Sequence, residues 1–218
     1  MSLPLSSPAA ILFDLDGTLI DSIELIVRSF QHTTEAHLGA PREREQIIPV
    51  IGLSLINELE RIAPGKGQEM LQTYRTFLVQ NHDDLIGEYE GVTEMLDRLA
   101  EHRLPLAIVT AKARISAAPT FARFQLEERM QVVVTYEDTE NHKPHPEPLL
   151  LAASRIGVEP TTCWYVGDST HDMQAAKAAG MYAVGAAWGP YGYDQLAPLA
   201  DVVLQQPGDL LALLPAID

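Results

Sequence analysis

A chain of 218 residues with 46% hydrophobic and 21% charged side chains has the composition of a soluble globular protein, which sets aside disordered and fibrous classes. Its length buries roughly 70% of the unfolded surface, enough for one sizeable core and a smaller appended unit. Thirty Asp and Glu against fifteen Lys and Arg leave a formal charge of -15, which argues against non-specific binding to nucleic acid or an anionic membrane and requires any anion site to be locally positive.

The opening stretch, MSLPLSSPAA, has neither the basic region nor the long apolar run of a leader, and nothing later approaches the ~20 apolar residues that cross a bilayer. The expected location is the cytoplasm, and Met1 to Leu3 carry no functional weight. A first strand is predicted over AAILF, Ala9 to Phe13. From Ser22 to about Leu85 only helical patterns occur: Ile23, Ile26, Val27 and Phe30 at helical spacing, then LSLINELERIA and MLQTYRTFLVQNH. Asp21 with Glu24 three residues on reads as a capping box for the first of these helices. Further strands follow at LAIVT (Leu106 to Thr110), VVVT (Val132 to Thr135), CWYV (Cys163 to Val166), YAVG (Tyr182 to Gly185) and DVVL (Asp201 to Leu204), with the helical patterns VTEMLDRLAEH, PEPLLLAASRIG and HDMQAAKAAG between them. These apolar runs do not alternate with polar residues, which suits strands covered on both faces of a parallel sheet. Strand then helix, repeated, predicts a doubly wound α/β core, residues 1–20 and 86–218, with a helical cap inserted over residues 21–85.

Polar residues end three predicted strands: Asp14 after AILF, Thr110 after LAIV and Asp168 after CWYVG. Ligands of open α/β sheets bind beyond the carboxyl ends of the strands, so these positions are expected to share one crevice. Asp14 and Asp16 stand two apart and point the same way at strand spacing; such a pair needs a neutralising cation or keeps one proton. Gly17 permits close backbone approach or a positive φ, although DG is also an ordinary turn signal. In GDSTHD, Asp172 lies four residues beyond Asp168, one helical turn away, and fits equally a helix N-terminal charge. Hard oxygen donors without a thiolate suit magnesium. His142, His145 and His171 lack the helix-spaced pair of a zinc site, and Cys163 behaves as a small buried hydrophobe. Thr110 precedes a helical pattern expected from Ala111, where its hydroxyl and the first backbone amides can hold an anion or simply cap a helix. Lys143 in NHKPHPEP sits in a proline-stiffened loop; Lys112 and Arg114 compete for the same anion-binding role but are expected to point away from within the helix.

A carboxylate pair, a metal site, a hydroxyl with amides and one cation at a single sheet edge suit phosphoryl transfer. The four motifs DLDGT, Thr110 in IVTAK, Lys143 in HKPHPEP and GDSTHD, in that order, resemble those of the haloacid dehalogenase superfamily, in the branch with a helical cap after the first strand. The resemblance implies that Asp14 is the nucleophile that becomes phosphorylated and Asp16 the acid and base. It implies that Thr110 and Lys143, with Gly17 and Ala111 beside them, bind the phosphoryl group. Asp14, the Asp16 main-chain carbonyl and Asp168 would then hold magnesium, with Asp172 in support. Dehalogenating relatives lack the second acid, so Asp16 favours phosphate esters or anhydrides, and Thr18, where phosphomutases often carry Val, favours hydrolysis.

A cap of about sixty-five residues over the crevice implies a small phosphorylated metabolite as partner. NHDDL, EGV at Glu90 to Val92 and AAWGPYG resemble stretches of bacterial phosphoglycolate phosphatases and of the superfamily's pyrophosphatases; nucleotides and sugar phosphates are alternatives. The cap offers Arg42, Arg44, Arg61 and Lys66 as candidate contacts for a second anionic group, and the sequence leaves open which of them face inward. A non-catalytic phospho-aspartate protein, such as a receiver-like regulatory domain, is the alternative of another class, disfavoured by the helical insertion after strand one.

Overall fold

The computed structural model describes residues 7–215; residues 1–6, which hold most of the MSLPLSSPAA opening and start the expected core, lie outside it, as do residues 216–218. In chain order, β1 (Ala10–Phe13) leads through a tight turn to the two-residue β2 (Ile20–Asp21), followed by α1 (Ile23–Leu38), α2 (Arg44–Ile47), α3 (Leu55–Ile62) and α4 (Gly67–Leu85). The chain returns through β3 (Gly87–Glu88) into α5 (Val92–Glu101), β4 (Leu106–Val109), α6 (Arg114–Arg123), α7 (Leu126–Arg129) and β5 (Val132–Val134). It ends with α8 (Glu147–Ile156), β6 (Cys163–Gly167), α9 (Thr170–Ala178), β7 (Tyr182–Ala186), α10 (Gly192–Leu196) and β8 (Val202–Leu204).

Six strands form one parallel sheet in the order β5-β4-β1-β6-β7-β8, so every apolar run expected to be a strand is one. Strand side chains alternate between the two faces. Ile11, Phe13, Ile108, Val166 and Val184 enter one buried cluster together with Val92, Met95, Leu96 and Leu99 of α5 and Phe121 of α6. Ala10, Leu12, Ala107, Val109, Tyr165 and Ala183 enter the other, closed by Leu149, Ala152 and Ala153 of α8 and Met173, Ala175 and Ala176 of α9. Both faces are therefore dry, which is why the strands show no polar alternation. Alanines on α8 and α9 allow those helices to lie close to the sheet.

A third cluster draws on residues between Ile23 and Leu78: Leu25, Phe30, Ile47, Leu59, Met70 and Tyr74 pack against one another, with the rings of Phe30 and Tyr74 edge to face at 5.3 Å. Buried hydroxyls inside α1 are satisfied by carbonyls one turn back, Ser29 to Leu25 at 2.7 Å and Thr33 to Ser29 at 2.7 Å. The antiparallel pair β2 and β3 brackets this helical stretch at its two ends. The helix start differs from the capping box read in the sequence. Asp21 pairs in β2, the N-cap is Ser22 without a side-chain cap bond, and Glu24 instead binds Arg28 at 2.6 Å and Arg44 at 2.8 Å. Two cations at this range outbid a reach back to one backbone amide. Among the described residues no helix is long and apolar enough to cross a membrane.

Candidate active site

β1 lies between β4 and β6, so the residues that leave these three strands emerge side by side. Backbone bonds set their positions: Asp14 N–H donates to Val166 O at 2.9 Å and Thr110 N–H to Val134 O at 3.0 Å, each extending a strand ladder by one residue. Asp14, Thr110 and Asp168 are all buried. One carboxylate oxygen from each of Asp14, Asp168 and Asp172 falls in a group within 4.8 Å of one another. Lys143 enters this group from its loop, with Nζ 2.9 Å from Asp14 and 2.7 Å from Asp172, and 3.0 Å from the Tyr165 hydroxyl.

Three buried carboxylates face one buried ammonium. Burial pushes the Asp14 carboxyl up to about 7, against the pull of Lys143; burial, then the charges of Asp172 and Asp14, pushes Asp168 well above the usual carboxylate range. Burial also works to raise Asp172, but Lys143 and the Ser169 hydrogen bonds outweigh it and hold Asp172 below its usual value. Lys143 is kept protonated because the two carboxylates overcome its own desolvation. An all-oxygen donor set with excess negative charge fits a hard divalent cation such as magnesium, which relieves the repulsion.

Asp172 divides its two oxygens: Oδ1 accepts from Lys143, while Oδ2 accepts from the Ser169 amide at 3.1 Å and hydroxyl at 2.6 Å in the capping box that opens α9. Asp168 is aimed by the Thr18 hydroxyl at 2.8 Å. Gly17, at φ 88°, lies so close to Asp168 that an added Cβ would meet its Oδ2 at 2.4 Å, and a Cβ at Gly189 would meet Asp168 Cβ at 2.4 Å. Two glycines therefore make the slot that Asp168 occupies. The WGP stretch is further held by the Trp188 indole, which donates to Thr18 O at 2.9 Å.

Asp16 stands apart from the buried trio. Its Oδ1 accepts from Ser22 Oγ at 2.5 Å and from Lys112 Nζ at 2.7 Å. This corrects the expected position of Lys112, because the helix after Thr110 begins only at Arg114. Residues 111–113 are irregular, which lets Lys112 turn back to a carboxylate. Arg114 does point away, to Glu127 at 3.0 Å. The expected free amides are also different: the Arg114 amide donates to Glu137 at 2.9 Å, and Thr110 Oγ1 accepts from the Lys112 amide at 3.1 Å. The histidines stay out of the acidic group; His142 stacks on Tyr136, and His171 meets the carbonyl of Pro49 at 3.1 Å.

A cavity of about 360 Å³ opens between this strand edge and the helical stretch, reached by Asp14, Asp16, Thr110, Ala111 and Lys112 from one side. On the other side, the cations expected from the sequence are engaged or outside: Arg42 and Arg61 bind Glu58 at 2.5 and 2.8 Å, Arg44 binds Glu24, and Lys66 is exposed. The basic side chain that helix α4 brings to the cavity wall is Arg75. The sequence carried a signal for it: Arg75 lies four residues after Leu71 and three before Leu78, on the apolar stripe of α4.

An α/β sheet with helices on both faces, acids at the central strand ends and a helical insertion after β1 is the arrangement expected of a hydrolase of the haloacid dehalogenase type. The profile of the haloacid dehalogenase-like hydrolases matches residues 11–186, and the chain belongs to that family. Among curated relatives, pyrophosphatase PpaX of Bacillus pumilus is 41% identical over 207 residues, covering 94% of this chain and 96% of that protein. Among solved structures, a protein assigned as a phosphoglycolate phosphatase from Lactobacillus plantarum superposes with TM-score 0.85 at 26% identity, covering 95% of this chain and all of the other. A hydrolase from Pseudomonas syringae superposes with TM-score 0.84 at 26% identity over 93% and 96% of the two chains.

Proposed function

We propose that this protein is a magnesium-dependent phosphatase that hydrolyses a small phosphorylated metabolite through a phosphorylated Asp14. The observation that carries this reading is the meeting of Asp14 and Asp168, beyond adjacent strand ends, with Asp172 of α9 and Lys143 from its loop, inside one hydrogen-bonded, desolvated group. Asp14 attacks phosphorus, the bond to the ester oxygen breaks, and the departing oxygen takes a proton from Asp16. The Asp16 carboxylate then removes a proton from water, which attacks phosphorus, frees Asp14 and releases inorganic phosphate. Lys143 orients Asp14 and, with Thr110 and the backbone at Ala111, neutralises the phosphoryl oxygens; the Gly17 amide expected beside them donates to Ile20 O at 2.9 Å instead, and Gly17 serves to make room for Asp168. Asp14, Asp168 and the Asp16 carbonyl would hold the magnesium, with Asp172 in support, and the ion when bound offsets charge on the phosphoryl group.

Residues 21–85 act in this reading as a lid that excludes bulk water and large substrates from the cavity. The 41% identity to a pyrophosphatase supports pyrophosphate as one substrate candidate, and the likeness to a protein assigned as a phosphoglycolate phosphatase supports phosphoglycolate as the other. Asp14→Asn keeps the shape and removes the nucleophile; phosphate release from both compounds is expected to fall by at least about a thousandfold. Chelation with EDTA is expected to abolish the wild-type rate and added magnesium to restore it. Undiminished turnover by Asp14→Asn would refute the assignment.

A further inference from the structure

The cavity is far less polar on its helical side than at the strand ends. Ile26, Phe30, Ile51, Leu55, Leu71 and Leu78 face it, together with Arg75. Arg75 Nε is buried and has no hydrogen-bond partner among the described residues. The residue is partly exposed, but its buried Nε–H donor has no acceptor, which is costly, and an oxygen from a ligand removes the cost. The cavity, about 360 Å³ and lined both by Asp14 and by Arg75, offers more room than a compact inorganic anion fills. A dianionic second phosphate among these apolar walls would face one guanidinium and keep an uncompensated charge. A carboxylate matches that single cation in charge and in its forked geometry.

We propose that Arg75 is a specificity-determining residue that binds a carboxylate on the leaving group, and that the preferred substrate is a phosphomonoester whose alcohol is an apolar chain ending in that carboxylate. The phosphoryl end sits at Asp14, the hydrocarbon lies along the aliphatic wall, and the carboxylate reaches Arg75. The inference rests on the phosphatase reading and narrows its substrate class: it favours an organic acid ester over pyrophosphate, and one longer than phosphoglycolate.

The test compares two series of alkyl phosphates of matched chain length, one ending in a carboxylate and starting at phosphoglycolate, the other ending in a methyl group, by kcat/KM with magnesium present. The wild-type enzyme is expected to prefer the acid-ended ester by roughly 30-fold and to gain about fourfold per added methylene until the cavity is filled. In Arg75→Met the preference collapses to about unity, and Arg75→Lys recovers part of it. Because each preference is a ratio within one protein sample, a partly unfolded variant does not imitate the result. A preference that survives Arg75→Met, or an efficiency that drops as the chain lengthens, overturns the inference and leaves the phosphatase reading standing. Hydrolysis of these esters by Asp14→Asn, or none by the wild type, overturns both.

Discussion

Thr18 shows how one hydroxyl decides the direction of a carboxylate. It is fully buried, and its only reachable task is the 2.8 Å hydrogen bond to Asp168. Replacing it by Val keeps the volume but leaves Asp168 to be oriented by the glycine slot alone. Groups that orient metal ligands typically matter 10- to 100-fold in affinity, so Thr18→Val is expected to raise the magnesium concentration for half-maximal activity about tenfold, measured by titrating the metal into the EDTA-treated enzyme. Lys112 has a comparable link to Asp16, and Ser22 completes it. Neither was identifiable from spacing, because each acts on a residue that only the turn after β1 brings near. Asp14, Thr110 and Asp168 were legible as candidates because each stands where an apolar strand run stops, and Lys143 because it lies in a proline-stiffened loop, whereas Asp172, in the first turn of α9, read equally as a helix N-terminal charge.

Among the helices, α3 owes its placement to a small ion network. Glu58 is buried and accepts from Arg42 at 2.5 Å and from Arg61 at 2.8 Å through both of its donors. Burial works to raise the Glu58 carboxyl, but the hydrogen bonds from Arg61 and Arg42 outweigh it and hold it below its ordinary value of 4.5. A carboxyl depressed in the folded state stabilises the fold above the unfolded value, and that contribution is lost as pH falls through the folded value. Glu58→Gln is therefore expected to cost roughly 1–3 kcal/mol at neutral pH, with the deficit shrinking as pH is lowered through the depressed carboxyl, as read from urea midpoints across a descending pH series. A deficit that persists in acid would locate the effect in packing instead. The network also accounts for why Arg42 and Arg61 do not reach the cavity, since a buried acid competes for them first; Arg44 is held by the partly exposed Glu24 instead. By contrast α8 and α9 were readable from their alanine-rich periodic patterns, because nothing except sheet packing decides their faces.

The molecule as a whole carries a formal charge of -15, yet the cations near the strand ends, Lys143 and Lys112, and Arg75 on the cavity wall, lie among acids and apolar side chains. Beyond about 8 Å in physiological salt the distant charges are screened, and at low salt they repel a phosphorylated substrate. At subsaturating substrate, kcat/KM is expected to rise about twofold between roughly 20 and 200 mM salt at fixed magnesium. A steep fall over that range would show that a positive funnel, not the net charge, governs approach. Contacts such as His171 with Pro49 O and the Tyr191 hydroxyl with Ile48 O at 3.4 Å tie the helical stretch to the sheet domain, and residues of both parts line the cavity.

The sequence by itself determined the parallel sheet, the helical stretch after the first strand and the acids at the strand ends. Those features rest on local patterns: unbroken β-branched runs, helical periodicity, and polar residues placed where an apolar run stops. The tertiary structure alone decided that α6 begins three residues later than the pattern suggests, that Lys112 turns back to Asp16, that two glycines clear a slot for Asp168, and that Arg75 faces the cavity while Arg42 and Arg61 do not. Each of these depends on which partner a side chain meets across tens of residues of chain, and the free energy of a buried charge is set by that partner rather than by its neighbours in sequence.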